Sequence, residues 1–188
     1  MTLEAEVLAA YPAEVRIPAG LVADAVASAS AASPRMLVVL DDDPTGTQSV
    51  ADLPVLTRWD VEDFIWAFGQ AKPAVYVLTN TRSLDPAEAA ARNEEVVRNA
   101  LAAAGSGIDS GLRLGFVSRS DSTLRGHYPL EPDVIAATVA EVSGEATDGV
   151  VLVPAFPDAG RVTIGGVHYM RGTGEDAGKL TPVAERSP

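Results

Sequence analysis

Five apolar residues, Met36 to Leu40, run directly into Asp41-Asp42-Asp43-Pro44-Thr45-Gly46-Thr47. An unbroken apolar run of this length, closed by a charged turn, fits a strand buried on both faces at the centre of a parallel sheet. In open sheets of that kind ligands collect just beyond the carboxyl ends of the strands. Three carboxylates at that position are placed either for substrate chemistry or, more plainly, as a solvated turn that caps a helix.

The same pattern returns further along the chain. Ala74 to Thr79 leads into Asn80-Thr81-Arg82-Ser83, Leu114 to Ser118 leads into a polar stretch from Arg119 to His127, and Gly149 to Val153 leads into Pro154 to Arg161. Helical patterns lie between these runs. Ala19 to Ser33 carries Leu21, Val22, Ala25 and Val26 at helical spacing and is ended by Pro34. Asp60 is placed to cap a helix with Val61, Phe64, Ile65 and Phe68 on one face. Asp85 and Pro86, with Glu88 at the capping-box position, open a helix to about Ala104 whose inward residues would include Val97, Leu101 and Ala104, with Gly105 as its stop. Val134, Ile135, Val139 and Val142 mark another.

Strand and helix patterns alternating in this way predict a three-layer α/β/α domain with a mainly parallel, Rossmann-like sheet. Residues 1–35 are expected to form a lead-in and first helix, irregular as far as residue 18, and residues 36–188 the domain proper. Val162 to Met170 suits a hairpin or edge strand, and Arg171 to Lys179 a glycine-rich exposed loop. With four strands each ending in polar residues, those clusters should converge.

Composition narrows the function. The chain has 188 residues, 47% of them hydrophobic, which suits a globular domain with a sizeable core. A net charge of −12 disfavours a nucleic-acid or anionic-membrane partner, so an anionic substrate would need a local basic patch. There is no cysteine, which removes disulfides, thiolate zinc sites and a thiol nucleophile. No run approaches the roughly 18 apolar residues of a membrane span. Glu4 and Glu6 replace the basic start of a signal peptide, so a cytoplasmic location is expected. A homo-oligomer is compatible with the sequence.

Several chemistries fit parts of the pattern. Gly178 and Lys179 look like the end of a phosphate loop, but Thr173 stands where its leading glycine belongs and Leu180 where Ser or Thr would hold magnesium. The Asp41-x-Asp43 spacing after a strand matches haloacid-dehalogenase-type phosphatases, in which the first aspartate attacks phosphorus and the second serves as acid and base. That alternative lacks a suitably placed lysine, since Lys72 and Lys179 follow no fitting strand, and Pro154-Ala155 stands where a metal-binding carboxylate pair is wanted. His127 and His168 are too few for a zinc site. A third possibility is a pocket for a polyol acid, where carboxylates accept from sugar hydroxyls, arginine pairs with the acid, and Ser, Thr and Asn complete the contacts.

DDDPTGTQ, TNTRS, SRSDSTLRGH and PAFPDAGRVTIGG, in that order, resemble the amino-terminal sugar-binding domain of the four-carbon acid sugar kinases, the family of threonate, erythronate and 3-oxotetronate kinases. The resemblance runs from about Met36 to the end of the chain. It implies ATP-dependent phosphorylation of the terminal hydroxyl of a four-carbon sugar acid, with ATP and Mg2+ bound through a second, carboxyl-terminal domain not present in these 188 residues. It also implies that Asp42 and Asp43 are the working aspartate pair, one serving as base. Thr45, Asp121, Ser122 and Arg125 would hold the hydroxyls and carboxylate, with Arg82 and Arg161 as further anion-binding candidates. Asp41 and Pro44 depart from the family, which more often has a small and an apolar residue there. Without the second domain the chain is expected to bind ligand weakly or not at all and to have no turnover. A non-catalytic sugar-acid-binding module is the remaining alternative.

Overall fold

In the computed structural model the described residues are 2–33, 35–106, 112–121, 125–154 and 156–183. In chain order the elements are β1 (Thr2–Leu3), α1 (Glu4–Leu8), α2 (Ala19–Ala32), β2 (Arg35–Asp41), β3 (Val55–Leu56), α3 (Val61–Phe68), β4 (Ala74–Leu78), α4 (Pro86–Gly105), β5 (Arg113–Arg119), α5 (Leu130–Ser143), β6 (Arg161–Ile164), β7 (Val167–Arg171) and β8 (Lys179–Pro182). They divide into two compact units, Gly20–Val150 and Met1–Ala19 with Val151–Pro188.

The larger unit is built on a four-stranded parallel sheet in the order β3-β4-β2-β5, with β2 central as its apolar run requires. Alternate residues of β2 (Met36, Val38 and Leu40) turn to one face, where they meet Val75 and Val77 of β4 and the helices α3, α4 and α5. Phe64 and Phe68 of α3 and Ile135 of α5 join this core, as their periodicity predicts. On α4 the buried face is rotated from the expected one: Val96, Val97, Ala100 and Ala103 take the centre, and Leu101 and Ala104 pack at its margin. The helix ends follow local chemistry. The Asp85 carboxylate accepts from the N–H groups of Ala87 and Glu88, each at 2.9 Å, ahead of Pro86 at the first helical position. At α3 the Asp63 carboxylate accepts from the Asp60 N–H at 3.1 Å.

The other face of this sheet is more open. Leu37 and Val117 remain exposed there, and no residue of α2 is buried although its apolar side chains sit at helical spacing. The expected strand over Gly149 to Val153 does not form: these residues pair with nothing among the described residues, and Val150 to Val153 are exposed. Apolar, β-branched composition makes a segment fit for a sheet, but pairing is decided by the tertiary partner rather than by the segment.

The smaller unit is an antiparallel sheet in the order β1-β8-β7-β6. The hairpin expected over Val162 to Met170 is β6 and β7, joined at Gly165 and Gly166 with φ of 59° and 78°, the left-handed pair that a tight two-residue turn demands. The lead-in is more ordered than expected, because Thr2 and Leu3 pair with Leu180 and Lys179 to make an edge strand. Lys179 therefore lies in β8 rather than in an open loop, and its ammonium donates to Asp176 at 2.8 Å, which leaves nothing of a phosphate loop.

Candidate active site

The carboxyl end of β2 carries Asp41, Asp42 and Asp43, and the parallel register sets Asp41 beside Leu78 of β4 and Arg119 of β5. Residues that leave neighbouring parallel strands at the same level must share one space, so the aspartates meet the polar turns that follow β4 and β5. Asp42 is 1% exposed and fully engaged. Its Oδ1 accepts from Arg82 Nη2 at 2.7 Å, and its Oδ2 accepts from Arg82 Nε at 3.2 Å and from the Asp121 N–H at 2.9 Å. Asp43 Oδ2 accepts from Arg82 Nη1 at 2.8 Å, while its Oδ1 accepts from the N–H and hydroxyl of Thr45 at 2.9 and 2.8 Å.

Arg82 thus holds two aspartates in a fork geometry that only a guanidinium offers. The bonds to Asp42 raise its pKa above the usual arginine value. The Thr45 bonds, backbone first, hold the Asp43 carboxyl below the ordinary carboxylate range, with the charges of Arg82 and Arg119 adding to the effect. Asp121 also meets Arg125, whose Nε and Nη2 donate to Asp121 Oδ2 at 3.2 and 2.8 Å from a largely exposed side chain.

Asp41 behaves differently. Its carboxylate is 0% exposed, and Oδ1 accepts from the Asp43 N–H at 3.1 Å and from Arg119 Nη1 at 2.9 Å, while Oδ2 has no partner among the described residues. Burial raises its pKa, against the opposing pull of the Asp43 N–H and Arg119. Gly46 closes over this pair, since a Cβ there would overlap the Asp41 carboxylate and Arg119 Nη1. Gly46→Ala is therefore expected to cost about 1–3 kcal/mol by overpacking. A urea denaturation midpoint equal to that of the parent chain would show that the pair can give way.

A buried polar layer beneath the cluster holds it in place. Glu131, at the start of α5 and 3% exposed, accepts from Thr81 Oγ1 at 2.5 Å, Ser118 Oγ at 3.0 Å and Asn93 Nδ2 at 3.4 Å. Thr79 Oγ1 donates to the Asp41 carbonyl at 2.9 Å, and Arg92 Nη1 donates to the Thr79 carbonyl at 2.8 Å. His127 Nε2 lies 3.1 Å from the carbonyls of both Thr81 and Leu84. Carbonyls only accept, so Nε2 carries the proton and pins the short turn Thr81–Ser83 from which Arg82 projects.

Of the candidates named from sequence, Asp42, Asp43, Thr45, Arg82, Asp121 and Arg125 gather in this one cluster. Ser122 lies outside the described residues. Arg161 belongs to the smaller unit, exposed at the head of β6. His168 is also there, its Nδ1 2.8 Å from Thr163 Oγ1. The sequence reading missed the buried Asp41–Arg119 pair and the Glu131 layer. An acid in the first turn of a helix looks like a solvent-facing dipole partner, and nothing in the order of residues marks Glu131 as different.

A family model described as a sugar-binding N-terminal domain matches residues 37–187. The chain belongs to this family, the sugar-binding domains of the four-carbon acid sugar kinases. It is similar to D-erythronate kinase of Heliobacterium modesticaldum (strain ATCC 51547 / Ice1), with 32% identity over 136 residues that cover 69% of this chain and 28% of that enzyme. The chain thus spans little more than a quarter of that relative's length. No solved structure matches it.

The turn after β2 and the end of β5 meet where the Asp121 N–H donates to Asp42 Oδ2. A phosphatase of the haloacid-dehalogenase type would need Asp41 open to a phosphorus atom, whereas Asp41 is buried behind Gly46 and bonded to Arg119. Nor does the cluster fit a magnesium ion. Its aspartates already accept from guanidinium, hydroxyl and N–H donors, and no group of three metal-binding side chains occurs among the described residues. No described helix is long and apolar enough to cross a membrane.

Proposed function

We propose that this chain is the substrate-binding half of an ATP-dependent kinase that phosphorylates the terminal hydroxyl of a four-carbon sugar acid. The observation that carries this reading is the family match over residues 37–187, and the similarity to a D-erythronate kinase supports the substrate class. On this reading residues 36–188 are a sugar-acid-binding domain of three-layered, Rossmann-like type, with residues 1–35 as lead-in and first helix. The enzyme works in the cytoplasm, and a homo-oligomer is compatible with its role.

Asp42 and Asp43 accept hydrogen bonds from substrate hydroxyls, and one of them receives the proton of the attacking hydroxyl. Arg82 aims both carboxylates. Thr45, Asp121, Ser122 and Arg125 line the sugar, and Arg161, in the smaller unit, is by itself a further anion-binding candidate. ATP and its Mg2+ are held by the remainder of a longer kinase, so beyond receiving that proton this chain's own residues take no step in the phosphoryl transfer.

The test joins two measurements on the 188-residue chain. Titration with D-erythronate, followed by amide chemical shifts, is expected to perturb residues around Asp42, Arg82 and Asp121 with weak affinity, Kd on the order of 1 mM. A coupled assay with ATP and D-erythronate or D-threonate is expected to register no ADP. Silence of the spectrum towards every four-carbon sugar acid would remove the substrate-binding role, and ADP production would remove the division into halves.

A further inference from the structure

Apart from the aspartate cluster, the larger unit has a second concave place, at the opposite end of its parallel sheet. A cleft of about 230 Å³ lies there between the residues that lead into β3 and β4 and the last turn of α3, lined by Asp52, Leu53, Pro54, Trp66, Gln70 and Lys72. A large aromatic on an amphipathic helix ordinarily turns to the core, as Phe64 and Phe68 do on α3. Trp66, on the same helix, stays 55% exposed, and its Nε1 makes no hydrogen bond among the described residues. The other tryptophan, Trp59, packs against the core and donates to Glu95 Oε2 at 2.9 Å.

The backbone around the cleft is held in an uncommon shape. Among the described residues three other than glycine have a left-handed φ: Asn80, at the aspartate cluster, and Asp52 and Ala71, at 59° and 52°, at this cleft. Ala71 follows α3 where glycine would sit without strain, and it has no polar side chain to offset the conformation. The two left-handed turns are tied together, because Lys72 Nζ donates to Asp52 Oδ2 at 2.5 Å. The Pro54 carbonyl accepts from the Tyr76 N–H at 3.0 Å and so fixes the wall to β4. Strained positions of this kind gather where ligands are clamped.

The side chains at the cleft have polar capacity unspent. Gln70 Nε2 donates to the Trp66 carbonyl at 3.2 Å, but Gln70 Oε1 and Asp52 Oδ1 accept from nothing among the described residues, and the Lys72 ammonium has used one of its three donors. Asp52 and Lys72 cancel in charge, so the cleft favours neither an anion nor a cation. The face of an indole is electron-rich and attracts positively polarised C–H groups. Hydroxyls both donate and accept, and so match a carboxylate, an amide oxygen and an ammonium together. A ligand with a C–H face and a rim of hydroxyls is a sugar ring. The volume, below the roughly 300 Å³ at which drug-sized pockets begin, suits a single ring.

We propose that this cleft binds one neutral sugar ring, stacked on Trp66 with its hydroxyls on Asp52, Gln70 and Lys72, as a site separate from the aspartate cluster. It stands independently of the sugar-acid function.

The test titrates the 188-residue chain with methyl β-D-glucopyranoside, methyl β-D-galactopyranoside, methyl α-D-mannopyranoside and glycerol, read by the indole N–H of Trp66 and the amides of Leu53 and Gln70. At least one glycoside is expected to shift these signals with Kd on the order of 10 mM, and glycerol at equal concentration to leave them in place. Trp66→Ala, read at the Leu53 amide, is expected to weaken the glycoside at least about 10-fold, and Trp66→Phe to keep part of the affinity. D-Erythronate should leave the Trp66 signal unmoved. No shift from any glycoside at about 100 mM, ten times the expected Kd, would overturn the proposal, as would equal shifts from glycerol or unchanged affinity in Trp66→Ala. A Trp66 signal that moves with protein concentration alone would give the cleft to a second copy of the chain and overturn it too. If Trp66→Ala does not fold, Gln70→Ala decides: glycoside affinity equal to that of the parent chain overturns the site.

Discussion

Arg82→Ala is expected to destabilise the chain by about 3 kcal/mol, the low end for breaking a buried ion pair by removing one partner. Asp42, 1% exposed, would lose both guanidinium bonds, and Asp43 would lose one. The low end applies because Arg82 itself is 18% exposed, so water can partly replace it. Chemical denaturation at neutral pH measures the loss. Adding Asp42→Asn to Arg82→Ala should recover part of it, since the buried carboxyl without its partner is then gone; a double variant as unstable as the sum of the two singles would mean that the groups do not interact. The pH dependence has a definite sign. Asp43 has a folded pKa below its ordinary value, so its contribution is complete above the normal carboxylate range and fades as pH falls through the lowered value. Without Arg82 that fading should begin at a higher pH.

Glu131→Ala is expected to cost a comparable amount, about 3–4 kcal/mol, by a different route. Three donors on three segments, Thr81, Ser118 and Asn93, lose their common acceptor in a buried layer, and the deleted atoms leave a cavity. Glu131→Gln retains the volume and one acceptor oxygen but turns an NH2 group towards donors, so about 1–2 kcal/mol is expected. Because Thr81 opens the turn from which Arg82 projects, hydrogen exchange at Ser83 and Leu84, whose N–H groups donate to the carbonyls of Asn80 and Thr81, should quicken in both variants, and more in Glu131→Ala. Protection at these amides unchanged in Glu131→Ala would show that the layer does not hold the turn.

Much of the architecture was legible because it depends on local pattern. The apolar runs at Met36, Ala74 and Leu114 became parallel neighbours, and Asp85-Pro86 opened α4 as its chemistry requires. The run at Gly149 looked the same by composition and did not pair, since composition reports fitness for burial and not the identity of a partner. The pairing of Thr2 and Leu3 with β8 was equally invisible, being a contact across almost the whole chain. In the site, strand ends told which residues meet, and so gathered Asp42, Asp43, Arg82 and Asp121. They could not tell how hydrogen bonds are shared out among them. That sharing makes Arg82 a holder of carboxylates and Asp41 a buried anchor, and it depends on which nitrogen of each fork faces which oxygen.

The antiparallel sheet that joins β1 to β8 has a consequence for how the chain is made. Thr2 and Leu3 leave the ribosome before Gly20–Val150 but have no partner until Lys179 and Leu180 follow, whereas Gly20–Val150 can complete its parallel sheet earlier in synthesis. The unit that carries the aspartate cluster is therefore free to fold while the opening residues wait. An affinity tag fused directly ahead of Thr2 would burden the closing of the antiparallel sheet, and leave the parallel one untouched.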